Sequence, residues 1–197
     1  DARHPDDAVY SVISDIMSNG RTSRLYRALV RDKKIAAAAA GFNGFPGDKY
    51  TNLFAFFAVP TPGHTAEEMK VAIREEIEKI RTTDVPADEL QMVKTRAKTD
   101  LIRRLDSNRG LAMQLAMAQA RYGDWRQLFR QVDDIDKVTA ADIKRIASAA
   151  FVESNRTVGM IESTKLSVFC VSGSYFRMDS TWSPLNSRRT ASAGSGR

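Results

Sequence analysis

In the stretch GHTAEE, His64, Glu67 and Glu68 lie within little more than one helical turn. In an H-x-x-E-H arrangement two histidines on one helix face hold zinc and the glutamate activates a bound water. Here Glu67 supplies the glutamate, but Glu68 stands where the second histidine is needed, so the ligand pair is incomplete. Thr65 and Glu68 instead form a T-x-x-E capping box, which starts a helix without any metal. The other histidine, His4, precedes Pro5 and is followed by Asp6 and Asp7, an acidic pair suited to a helix N-terminus. With two histidines in the chain, histidine-based acid–base and nucleophilic schemes lack parts. Cys170 is the single cysteine, which excludes an internal disulfide and a cysteine metal cluster and leaves the redox compartment open. The glycines of GFNGFPG lack the G-x-x-x-x-G-K-[ST] order of a phosphate loop. Glu75 with Glu76, and Asp133 with Asp134 and Asp136, are adjacent helical acids that point in different directions and read as solvated faces. Met113 and Met117, one turn apart among alanines, read as core gap-fillers.

The elements around these residues are legible from periodicity. Ala8, Val9, Val12, Ile13, Ile16 and Met17 recur at helical spacing and stop at Asn19-Gly20. Thr22 or Ser23 caps a second helix carrying Leu25, Tyr26, Leu29 and Val30, which frays in the charged residues 31–34. Residues 35–45 and 50–59 read as two strands joined by GFPGD, although the alanine run of the first prefers helix by propensity. Helical spacing then continues for some ninety residues. One helix runs through Met69, Ile73, Ile77 and Ile80, a long one follows Pro86, Asn108-Arg109-Gly110 breaks it, and further helices start near Asp124 and Thr139. Val158 and Met160 alternate with Thr157 and Gly159, which predicts a closing strand over residues 156–161. The expected class is α+β, a two-layer domain with a mostly antiparallel sheet and helices on one face, over residues 1–163. Residues 164–197 are polar, small and basic, and read as a flexible or partly artificial tail.

Composition narrows the partners. No apolar run approaches the roughly 18 residues that cross a bilayer, so no membrane span is expected. Residue 1 is an aspartate with no leader after it, which reads as a boundary or a processing site. The net charge of +6 is uneven: after residue 163 five basic residues oppose one acid, whereas the body carries 25 basic and 23 acidic residues. A body at +2 with interspersed signs has no phosphate-binding stripe, so nucleic acid is not an expected partner.

The order of motifs carries a resemblance. HPDDAVYSVISDIMSNGRTSRLYRALVRDKKIA, two strands, PADEL, DSNRGLAMQLAMAQARYGDW and VDDIDKVTAADIKRIASAAFVESNRTVGMIE together resemble the second, non-catalytic domain of a pitrilysin/insulinase-type zinc metallopeptidase, the group that includes the mitochondrial processing peptidases. The resemblance spans about residues 4–162. It implies a chain without its own catalytic or metal-binding residues and without a cofactor, with zinc held in a homologous catalytic half that carries H-x-x-E-H. The two halves then close over an extended peptide, and this one forms the chamber wall and docking surface. The implied partners are that zinc-bearing domain or subunit and a peptide substrate, and for a bacterial protein the implied compartment is periplasm or cytoplasm. The alternative is a scaffold that keeps the fold without proteolysis. Active members bring an arginine and, seven residues later, a tyrosine to hold substrate backbone. Those positions map to Val30 and Ala37, and neither side chain matches; Arg31 lies one position off, with Ala38 as its seventh neighbour. Arg24, Tyr26 and Arg31 are the side chains expected to contact peptide or partner.

Overall fold

The computed structural model describes residues 4–47 and 50–161. The element order is α1 (Asp7–Ser18), a π-helix (Tyr26–Asp32), β1 (Ala36–Phe45), β2 (Leu53–Pro60), α2 (Ala66–Thr82), α3 (Ala87–Leu105), α4 (Asn108–Tyr122), α5 (Gln127–Lys137) and α6 (Ala140–Ala150). The class is α+β: among the described residues β1 and β2 form an antiparallel two-stranded sheet, with α1 packed on β1 and α2 on β2.

The helical boundaries follow from local chemistry. Thr65 and Thr139 each accept from a backbone N–H three residues on, while Glu68 and Asp142 reach back to the capping residue's own N–H, giving two complete capping boxes. Ser107 caps α4 by accepting from the Gly110 N–H at 3.0 Å. The break therefore falls at Asp106 and Ser107, and Asn108-Arg109-Gly110 forms the first turn of α4 instead of the interruption expected there. A side chain at Gly110 would collide with the Arg104 carbonyl oxygen, so glycine lets the two helices turn this closely. The second helix differs in kind from expectation. Its hydrogen bonds include Lys33 N–H to Ala28 O, an i to i−5 bond, and it is π-wound through Tyr26–Asp32.

The alanine run is a strand because its tertiary setting overrides propensity. Ala36 is buried in the core, and Gly41 packs so tightly beneath Phe56 that a Cβ there would lie 2.5 Å from the ring. The register slips between Ala36 and Ala38, leaving Ala37 in a bulge. The core centres on α1, whose Val12, Ile13, Ile16 and Met17 meet Leu25, Leu29, Ile80, Val93 and Ile143. Burial of these side chains from five helices supplies the dominant stabilising term.

Three further expectations are corrected. Residues 156–161 form no strand; they are exposed, and although β2 has no neighbour on its far side among the described residues, they do not dock there, so their alternation is not used in pairing. Met113 and Met117 are not core residues but lie on the solvent side of α4, about half exposed. Glu76 is buried on α2 and pairs with Lys79 at 2.5 Å, whereas Glu75 is exposed and binds Lys33. The tail expected at residues 164–197 lies outside the described residues.

One half-buried carboxyl gives a pH prediction. Burial raises the Asp15 carboxyl above the usual range, and Asp100 adds to this, while the Asn19 amide, Arg96 and Arg104 oppose it. The folded state then holds a proton at pH values where the unfolded chain, titrating near 4, has lost it. Asp15 thus favours folding below its unfolded pKa, and that contribution is lost as pH rises through the folded value. Asp15→Asn keeps the acceptor for Asn19 and is expected to raise the melting temperature at pH 7, with the gain vanishing as pH falls toward 4. A lower melting temperature at pH 7 would contradict this assignment.

Candidate functional site

The outward face of the β-hairpin is the candidate site. Inward positions of β2, namely Phe54, Phe56 and Ala58, pack on the core, and Phe54 and Phe56 meet Phe151 at 5.2 and 5.6 Å between ring centroids. The alternate positions Leu53, Phe57 and Val59 are exposed, and the facing residues of β1 are Phe45, Ala40 and Ala38. Phe42 stands edge-on to both Phe45 and Phe57, at 6.2 and 6.3 Å. A strand apolar on both faces is characteristic of a sheet covered on both faces, and among the described residues one face here is open. The sequence signal was available in LFAFFAVP, where hydrophobic residues occupy both parities.

The sheet edges are unequal. The Gly41 N–H donates to the Ser18 hydroxyl, and the Ser14 hydroxyl donates to the Gly41 carbonyl at 3.2 Å. The Asn43 amide reaches Ser11 at 3.3 Å, so a serine stripe on α1 engages β1 along its middle. Those groups are unavailable to an incoming strand. Among the described residues, β2 has no neighbour on its far side.

The side chains singled out from the sequence are not brought together as one set. Arg24 is withdrawn into the domain: its guanidinium forms a two-pronged pair with Glu89 of α3 at 3.1 and 2.6 Å, and both side chains are only 15% exposed. It ties the second helix to α3 and is not presented as a peptide contact, because such a planar pair satisfies the arginine internally. Tyr26 is half-buried at the start of the π-helix. Val30 packs against the core, and Ala37 is exposed in the β1 bulge. Arg31 is exposed and pairs with its neighbour Asp32 at 2.6 Å, holding that carboxyl below its usual range.

The residues at His64 do not fit a zinc site. His64 Nδ1 lies 2.9 Å from Glu68 Oε2, and the same carboxylate accepts from the Thr65 N–H to complete the cap. These contacts lower the Glu68 carboxyl, with the histidine contact the larger cause. Among the described residues no three His, Cys, Asp or Glu side chains converge as metal ligands. Thr65→Ala is expected to cost about 0.5–2 kcal/mol in denaturant unfolding. His64→Ala should leave the metal content of the purified chain unchanged; a stoichiometric zinc lost with His64 would overturn this reading.

The fold is similar to those of known proteins. Residues 1–97 match the family model described as the peptidase M16 inactive domain. The zinc protease PqqE of Helicobacter pylori is 26% identical over 157 residues, covering 79% of this chain and 34% of that protein, so the chain spans about a third of its relative's length. The inactive peptidase domain of a candidate zinc protease from Bordetella parapertussis superposes with a TM-score of 0.71 at 27% identity, covering 84% of this chain and 86% of that one. A candidate zinc protease structure from Bordetella pertussis gives a TM-score of 0.69 at 28% identity, over 83% of this chain and 88% of that one. Over residues 1–97 the chain thus matches the peptidase M16 inactive domain, and along most of its length it is similar to solved inactive domains of candidate zinc proteases.

Proposed function

We propose that this domain is the non-catalytic half of a zinc-dependent endopeptidase, with the outward face of β1 and β2 serving as wall and docking surface opposite a zinc-bearing half. The observation that carries the proposal is that open apolar face, centred on Phe42 and Phe57, on a fold whose relatives include zinc proteases. The catalytic half supplies the Lewis-acid and nucleophile chemistry of its zinc, and this chain contributes position. The β2 edge, which has no neighbour among the described residues, can add an extended peptide through main-chain hydrogen bonds. Each π turn absorbs one residue more than an α turn, so the place that regular helical counting gives Val30 passes to Arg31. Arg31 is therefore the arginine offered to substrate backbone, while Ala38 leaves the companion aromatic position empty.

The reading is tested by titrating the chain against a separately produced H-x-x-E-H-bearing half from the same gene product, with association followed by calorimetry. Saturable one-to-one binding is expected, and its absence would sink the proposal. A complex that forms but never adds to peptide cleavage would favour the scaffold alternative.

A further inference from the structure

Residues 102–132 differ in composition from the rest of the body. They contain six arginines and two aspartates, with no lysine and no glutamate, a net +4, while the remainder of residues 1–163 holds 19 basic and 21 acidic residues. About half of this segment is α4, a helix that carries apolar residues on its solvent side as well as its inward side. Ala118 is buried and Leu115 half-buried toward the interior, while Arg109, Met113, Ala116, Met117 and Ala120 follow one another at helical spacing along the solvent side. Large apolar side chains set side by side on the solvent side of a helix mark a surface to be covered, and here Met113 and Met117 are 52% and 45% exposed.

The bare side of α4 continues onto the next corner. Gln119 accepts from the Trp125 N–H at 3.2 Å, and the Trp125 indole stands edge-on to Phe129 at 6.4 Å. The Arg126 guanidinium lies 4.6 Å from the centre of the Trp125 ring. Arg126 and Arg130 share Asp124, at 3.5 and 3.2 Å, so one carboxylate faces two cations.

We propose that this methionine, tryptophan and arginine surface docks an acidic amphipathic helix of a partner protein, a second interface independent of the sheet face. The partner's apolar stripe would lie on Met113, Met117 and Trp125, and its carboxylates would meet Arg109, Arg126 and Arg130. Charge complementarity selects an acidic partner, and the kind of cation selects protein over lipid. Protein interface cores are enriched in Met, aromatic residues and Arg and depleted in Lys and Glu, which is the composition found here. Surfaces that bind anionic lipid draw on lysine as readily as arginine, and this one has none. The planar arginine fork also matches a carboxylate in two-pronged fashion, which an ammonium cannot.

The test uses the full chain with Trp182→Phe, leaving Trp125 as the only tryptophan. Its emission is followed during titration with an 18-residue Leu/Glu amphipathic peptide, with the matching Leu/Lys peptide, and with vesicles of phosphatidylglycerol and phosphatidylcholine. Saturable binding of the Leu/Glu peptide at least tenfold tighter than the Leu/Lys peptide is expected. Met117→Glu and Arg109→Glu should each weaken it tenfold or more; Arg109→Glu puts an acid in the first turn of α4, where it does not threaten the fold. Equal affinity for the two peptides, indifference to both substitutions, or a response to vesicles alone would each overturn the proposal.

Discussion

Phe57→Asp is expected to weaken association with the zinc-bearing half more than thirtyfold while leaving the stability of the free chain within about 0.5 kcal/mol. Phe57 is 47% exposed at the centre of the open sheet face, opposite Ala40 and edge-on to Phe42. In the free chain the new carboxylate stays hydrated, because that face borders solvent. In the complex it would be desolvated against apolar surface without a partner. Aromatic residues at interface centres commonly contribute about 2 kcal/mol or more, and each 1.4 kcal/mol corresponds to roughly a tenfold change in affinity. The two readouts separate causes. An unchanged dissociation constant would remove the sheet face from the interface, and a parallel loss of stability would assign Phe57 to the fold.

Leu29→Ala is expected to destabilise the domain by about 2–5 kcal/mol in denaturant unfolding. Leu29 is fully buried inside the π-helix, and its carbonyl accepts from the Ile35 N–H just before β1 begins. The side chain belongs to the core that α1, α2 and α3 share, so its removal leaves a cavity that rigid neighbours on several sides cannot fill. Such a loss is a large part of the 5–15 kcal/mol typical of whole domains. A cost below about 1 kcal/mol would show that the π-helix is loosely packed and cannot hold Arg31 in a fixed place.

The helices and the strand pair were legible where periodicity and capping agree. Thr65 with Glu68 and the spacing of Met69, Ala72 and Ile80 define α2 without ambiguity, and Thr139 does the same for α6. The π winding was not legible, since Leu25 and Leu29 keep the four-residue spacing of an ordinary helix although Leu29 lies inside the π-wound stretch. The strand expected at residues 156–161 has the alternation of a strand, but alternation alone does not bring a segment onto an edge, and these residues stay exposed although the β2 edge has no neighbour among the described residues. Arg24 reads from its neighbours as an outward contact, because nothing local reveals Glu89, which lies 65 residues further on. Met113 and Met117 read as core from the sequence because hydrophobic character alone does not separate an interior position from an exposed one.

The central claim is that this chain positions and does not catalyse. Its most direct test is a peptide cleavage assay on the purified chain with and without added zinc, then with the zinc-bearing half, each repeated with a chelator. The account predicts no cleavage by the chain alone, cleavage by the mixture above that of the zinc-bearing half alone, and loss of that cleavage with chelator. Chelator-sensitive cleavage by this chain alone would contradict it.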